Sequence, residues 1–173
     1  MEKTKTVLYL VRHGETVDNV NKIMQGQTQG ELTQNGVAQA EALGRKLTDV
    51  DFDGFVSSDL KRSVDTCSII AKYHDGEVAT TPLLREREWG SFTGRYIPDL
   101  KDETWPDDIE SLDKLKERAG KFLRWLCERF PNQTVLAVGH GIINKAIQAV
   151  LFNKQMNEVT RMENGEVRIL TVE

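Results

Sequence analysis

The sequence predicts an α/β fold: a single three-layer α/β/α domain over residues 1–173, with a mostly parallel central sheet flanked by helices. Three observations carry that prediction. Val7-Leu8-Tyr9-Leu10-Val11 and Val135-Leu136-Ala137-Val138 are unbroken apolar runs, the pattern of strands buried on both faces. Segments of helical periodicity follow both runs, so strands and helices alternate along the chain. Finally, 173 residues suit one domain that buries about 70% of the surface its unfolded chain exposes.

In chain order, Val7–Val11 is the first strand, and it ends abruptly in Arg12, His13 and Gly14. Residues 16–20 form a short helix or turn, followed by a glycine- and glutamine-rich loop from Met24 to Gly30. Thr33 then N-caps a helix whose apolar residues Val37, Ala40, Leu43 and Leu47 recur at three- and four-residue spacing. Asp53 and Gly54 mark a turn into a short strand, Phe55-Val56-Ser57. Ser58 has the residue type of an N-cap, which places a helix from Asp59 to about His74 with Val64, Cys67 and Ala71 on one face. His74 is expected at the surface near that helix end. Glu77–Thr81 is a weak third strand closed by Pro82. The stretch 83–90 carries too many charges for a strand and is expected as an ordered loop.

Residues 95–109 hold Pro98, Pro106, two aromatics and mostly acids, a composition that suits a mobile cover. Leu112, Leu115, Ala119, Phe122, Leu123 and Leu126 then repeat with helical period, predicting a helix from Glu110 to Arg129. The strand Val135–Val138 ends in Gly139-His140-Gly141, a helix runs from there to about Phe152, and Val167–Val172 is the last strand.

Composition excludes several classes. Net charge is −4 and no block of Lys/Arg occurs, so a nucleic-acid footprint is not expected. The first apolar run stops at Arg12, too short for a signal-peptide core, and no stretch suits a transmembrane span. Cys67 and Cys127 fall on or beside apolar helical stripes, as small reduced core residues of a cytoplasmic protein would.

The chemistry concentrates where strands end. Two apolar strands each deliver a histidine at the carboxyl end, and a third is followed, a helical turn later, by Arg62. If these strands are parallel neighbours, Arg12, His13, Arg62 and His140 meet at the sheet edge where open α/β sheets bind ligands. Two fixed cations and two imidazoles suit a tetrahedral dianion, because the arginine fork matches phosphate oxygens in bidentate fashion. Amide groups at the starts of the following helices add partial positive charge. Neighbouring arginines disfavour protonation of His13, and a neutral imidazole is the form that attacks phosphorus. Glu86 supplies an acid for the leaving alkoxide, although Glu88 two residues on competes for that role on sequence alone.

The strings LVRHGETVDN, SSDLKRSVDT, LREREWGSFTG and VGHG, in that order over residues 7–145, resemble the histidine phosphatase superfamily, the phosphoglycerate-mutase-like proteins. The resemblance implies that His13 is phosphorylated during turnover, with Arg12 and Arg62 clamping the phosphoryl oxygens. His140 is then the second imidazole of the pocket, and Glu86 the proton donor and later the base for water. By the same resemblance Asn19 orients His13 or binds phosphate, Gln25 touches phosphate as in some relatives, and the Gly141 amide belongs to the phosphate site. A small phosphate ester is the expected partner; no cofactor and no metal are expected, and oligomeric state is left open.

Departures from the family pattern bear on the reaction. Gln29-Gly30-Glu31-Leu32-Thr33 replaces a common Asp-x-Pro-Leu-Thr turn, and Asn144 stands near where an arginine is common. Mutases carry a lysine where this chain has Ile97, and an arginine pair that it lacks. From Arg95 to Glu110 six acids, Asp99, Asp102, Glu103, Asp107, Asp108 and Glu110, face two bases, Arg95 and Lys101. An acidic cover would repel a second phosphate, which favours hydrolysis over mutase chemistry, with Trp89, Phe92, Tyr96 and Trp105 as aromatic surface for the organic group. The resulting expectation is a phosphomonoesterase. Its alternatives are an α-ribazole phosphatase, a phosphoglycerate-mutase-type phosphotransferase and a phosphate-binding module without turnover. A metal hydrolase is disfavoured by two arginines beside a dication and by the absence of HxxxH spacing.

Overall fold

The two apolar runs do become the centre of the structure, a computed structural model that describes residues 3–173. The first is β1 (Thr6–Arg12) and the second β4 (Thr134–Gly139), and they pair in parallel with Arg12 opposite Gly139. β2 (Gly54–Ser57) lies parallel on the other side of β4, with Ser57 opposite Val138, and β3 (Val78–Thr80) lies parallel beyond it. β5 (Val167–Val172) closes the opposite edge antiparallel to β1, giving the order β3-β2-β4-β1-β5. This register has one consequence for the site. The carboxyl ends of β1, β2 and β4 are level, so the residues that follow each of them share one rim.

Period-two alternation then splits the core between the faces. Val135 and Ala137 join Leu8, Leu10, Leu115, Phe122, Leu126, Ile143 and Ile147 on one side. Leu136 and Val138 join Val11, Leu43, Phe55, Cys67 and Ile70 on the other. The first cluster is covered by α4 (Leu112–Arg129) and α5 (Gly141–Leu151), the second by α2 (Gln34–Lys46) and α3 (Lys61–Ala71), which completes three layers. Each buried large side chain adds about 1.5–3 kcal/mol of hydrophobic stabilisation.

Several local expectations shift. Thr33 caps α2 as read, accepting from the Gly36 amide, but the buried stripe is Gly36, Ala40, Leu43 and Gly44 while Val37 stays 38% exposed. The helix sits close enough that its glycines, not a valine, meet the core. Ser58 is not the cap of α3: Leu60 occupies the N-cap without a side-chain bond, and the buried face is Ser63, Thr66, Cys67 and Ile70. α4 starts at Leu112 behind a Ser111 cap, so Leu112 is exposed. A short α1 (Val17–Asn21) is closed by a capping box between Thr16 and Asn19. His74 is not a free surface residue, since its ring packs against Phe52 and Phe55.

The segment after residue 94 is fastened rather than loose at its start. Ile23 and Tyr96 form a β-bridge, and backbone bonds join Met24 to Arg95 and Ile97 to Lys22.

Candidate active site

His13 follows β1 directly and is almost wholly buried. Its Nδ1 lies 2.7 Å from the Gly14 carbonyl oxygen. A carbonyl can only accept, so Nδ1 carries the proton and Nε2 keeps its lone pair. Burial first, and the Arg62 charge second, hold the His13 pKa down to about 3, so the imidazole is neutral at neutral pH. The expectation of a neutral His13 therefore holds, with burial rather than the arginines as the larger cause.

His140 directly follows β4 and is the N-cap residue of α5. Its ring centroid is 5.1 Å from that of His13, edge to face. Ser58 Oγ stands 2.7 Å from His140 Nε2, while Nδ1 is buried with no partner among the described residues. Burial, then Arg62, keeps this imidazole neutral as well. Ser58 was the residue that sequence reasoning assigned to a helix cap.

Arg12 and Arg62 close the other sides. Arg12 donates from Nη1 to the Met162 carbonyl at 2.7 Å, and Arg62 donates to the carbonyls of Gly26 (2.7 Å) and Thr28. Each guanidinium has five N–H donors, so both keep donors for a guest, and both Nε atoms are buried without a partner among the described residues. Burial lowers the Arg62 pKa to about 10, which leaves it a cation at neutral pH.

Glu86 lines the same cavity at the start of α5. Its carboxylate accepts from the amides of Ile142 (3.0 Å) and Ile143 (3.0 Å) at the helix start, and from Arg87 N at 2.8 Å. Arg118 fixes the loop that carries it, donating to the carbonyls of Leu83 (3.1 Å) and Arg85 (2.5 Å) while paired with Glu110 at 2.8 Å. Glu88 turns away, its carboxylate accepting from Gly90 N at 2.9 Å. One cavity is lined by Arg12, His13, Arg62, Glu86 and Gly141 together.

The model of the histidine phosphatase superfamily, branch 1, matches residues 8–173 of this sequence. The chain belongs to that superfamily. Among its relatives is an uncharacterized phosphatase, PhoE, of Bacillus subtilis (strain 168), 34% identical over 84% of this chain and 76% of its own. A metal-independent phosphoserine phosphatase of Arabidopsis thaliana is 31% identical over 98% of this chain and 78% of its own. The crystal structure of a phosphoserine phosphatase from Entamoeba histolytica, in complex with 3-phosphoglyceric acid, superposes with a TM-score of 0.84 at 27% identity, covering 95% of this chain and 89% of that one.

In this histidine phosphatase the remaining expected residues divide. Asn19 and Gln25 line the cavity, but Asn19 makes no bond to the His13 ring. Its Oδ1 accepts from Thr16 N at 3.0 Å and from Asn164 Nδ2 at 3.2 Å, and Asn164 in turn donates to the His13 carbonyl at 3.1 Å. Gln25 Oε1 accepts from Thr16 Oγ1 at 2.9 Å. Of the four aromatics only Trp89 reaches the cavity; the rest of the apolar wall is Ile23, Met24, Ile97 and Ile142. Phe92 is core, and Trp105, 53% exposed, meets Trp89 edge to face with ring centroids 5.4 Å apart.

The acidic cover is also corrected, because none of its six acids lines the cavity. Glu103 pairs with Arg95, Asp108 accepts from Ser91, and Glu110 pairs with Arg118. Two cations that sequence reasoning did not single out, Lys145 and Arg161, line it instead. Repulsion of a second phosphate therefore loses its basis.

No helix of the described chain is long and apolar enough to cross a membrane. No cluster of three or more metal-ligating side chains is found among the described residues.

Proposed function

We propose that this histidine phosphatase is a phosphomonoesterase that hydrolyses a small organic phosphate ester through a phosphohistidine on His13. The observation that carries the reading is the tautomer of His13: with Nδ1 engaged by Gly14 O, the lone pair on Nε2 is the nucleophile on offer in a cavity walled by two arginines. Nε2 attacks phosphorus and the ester oxygen leaves with the proton of Glu86. Water, giving its proton back to the Glu86 carboxylate, then attacks phosphorus and breaks the P–N bond, releasing inorganic phosphate. Arg12, Arg62, His140 and the Gly141 amide stabilise the charge spread over the equatorial oxygens, and Asn19 and Gln25 bound the phosphate end of the cavity.

The phosphatase names of the relatives and the 3-phosphoglyceric acid bound to one of them support this class. The cavity, of about 260 Å³, accommodates a small organic group, and an α-ribazole phosphate stays an alternative substrate. A relative named as a probable phosphoglycerate mutase, from Proteus mirabilis (strain HI4320), keeps phosphotransfer as the second reading. Buried, reduced Cys67 accords with a cytoplasmic location.

The test is phosphate release from a panel of esters by wild type and His13→Ala. Wild-type release that His13→Ala abolishes and EDTA leaves unchanged is expected. A requirement for a bisphosphate primer would select the phosphotransferase instead, and full activity of His13→Ala would overturn the phosphohistidine.

A further inference from the structure

The cavity holds more positive charge than a phosphate uses. Arg12 and Arg62 match the two charges of a phosphate dianion, and the Glu86 carboxylate is met by three backbone amides. Lys145 and Arg161 remain. Lys145 lies four residues after Gly141 on α5, so the two share a helix face and both line the cavity. Arg161 lines it from the stretch before β5, and its backbone is pinned from both sides. Arg12 grips the next carbonyl, Met162 O, while Arg168 donates to the carbonyls of Thr160 (3.0 Å) and Arg161 (3.3 Å).

Neither side chain is spent on the protein. Among the described residues no carboxylate, Glu163 included, comes within ion-pair distance of Lys145 or Arg161, and neither side chain donates a hydrogen bond. Glu166, the other nearby acid, is paired with Arg168 at 2.8 Å. The Arg161 charge is felt at Arg12, where it disfavours the guanidinium second only to burial. Arg161 is exposed and Lys145 half-buried, so both are solvated at the cavity and both keep their charge free to meet an anion that enters it.

We infer that Lys145 and Arg161 form a second anion subsite, and that the substrate is a small phosphate ester carrying a carboxylate or a second phosphate on the same molecule. The inference rests on the phosphatase reading of the same cavity. The ester phosphate sits between Arg12 and Arg62 against His13, and the second anion sits one α5 turn out, between the Lys145 ammonium and the Arg161 fork. Ile23, Met24, Ile97 and Ile142 wall the short carbon skeleton between them. Carboxylate and phosphate share the chemistry that a fork and a point charge recognise, so the test separates them.

Two matched pairs read the subsite: 3-phosphoglycerate against glycerol 3-phosphate, which differ in one carboxylate, and fructose 1,6-bisphosphate against fructose 6-phosphate. For wild type, kcat/KM is expected to be at least tenfold higher for the doubly anionic member of one pair, and which pair responds names the second anion. In the double variant Lys145→Gln/Arg161→Gln that ratio is expected to fall at least tenfold. Lys121→Gln, which removes an exposed cation from α4, should leave the ratio unchanged.

Calorimetry on His13→Ala, with and without the two glutamines, measures binding of 3-phosphoglycerate and of fructose 1,6-bisphosphate without turnover. A wild type that hydrolyses none of the four esters overturns the phosphatase reading, and the calorimetry still reads the subsite. Ratios near one for both pairs, or a ratio or affinity the two glutamines do not change, overturn the subsite.

Discussion

Ser58 Oγ stands 2.7 Å from Nε2 of His140, two residues 82 positions apart in sequence that meet because β2 and β4 end level. The hydroxyl accepts a long bond from Leu60 N at 3.4 Å and has one proton to give, and we infer that His140 Nε2 accepts it. With that tautomer His140 carries its own proton on Nδ1, which is buried without a partner among the described residues, and the proposed reaction uses it as a donor to the phosphoryl group.

Ser58→Ala is therefore expected to lower kcat about tenfold with little change in KM, the cost of roughly one misdirected hydrogen bond in the transition state. Nitrogen NMR of His140 should show the Nδ1-protonated tautomer in wild type and a mixture in the variant. An unchanged tautomer would remove Ser58 from its positioning role.

Glu86→Gln tests the proton donor. The variant cannot protonate an alkoxide, so alkyl phosphates are expected to lose about 10²–10⁴ in kcat while p-nitrophenyl phosphate, whose leaving group scarcely needs a proton, loses far less. Glu88→Gln should affect neither, because its carboxylate is bonded to Gly90 N outside the cavity. Equal losses on both substrates with Glu86→Gln would reject it as the acid.

Both site histidines are held neutral by burial, which makes stability pH-dependent. Their folded pKa values lie below the unfolded value of 6.5, His13 at about 3. Below pH 6.5 the unfolded chain takes up protons that the native state refuses, so stability is full above 6.5 and falls as pH drops toward 3. Each histidine contributes a slope of up to about 1.4 kcal/mol per pH unit. Urea unfolding of wild type between pH 7 and 5, compared with His140→Gln, checks this: the variant should lose about half of the histidine slope.

The four strand-end residues were legible because each directly follows, or lies within a turn of, an apolar run, and parallel strands in register bring such ends together. The sheet and both helical layers followed from the same periodicities. Ser58 was misread because a serine shortly before a helix is the local signature of a cap, and its real partner lies on another strand. Lys145 and Arg161 left no pattern, since a lone cation acquires its meaning from what it faces. The acids of residues 95–110 misled for the same reason: composition counts charges, while Glu103, Asp108 and Glu110 are bound to Arg95, Ser91 and Arg118.

Gly36 shows how a helix propensity can carry the wrong sign. In a helix interior glycine costs about 0.5–1 kcal/mol relative to alanine, so Gly120→Ala in α4, where the new methyl meets nothing closer than Arg124 Nη1 at 3.5 Å, is expected to stabilise by about that amount. A Cβ on Gly36 in α2 would instead run into the Glu15 carbonyl oxygen, and one on Gly14 would meet Gly36 O at 2.5 Å. The obstacle is backbone on both sides, so α2 or the loop behind His13 must move. Gly36→Ala is expected to lose about 1–3 kcal/mol, a fall in Tm of about 3–10 °C by calorimetry. That loop supplies the Gly14 carbonyl that sets the His13 tautomer, so kcat should fall with Tm. Full activity at a temperature where the variant remains folded would show that the two glycines pack the helix without aligning the nucleophile.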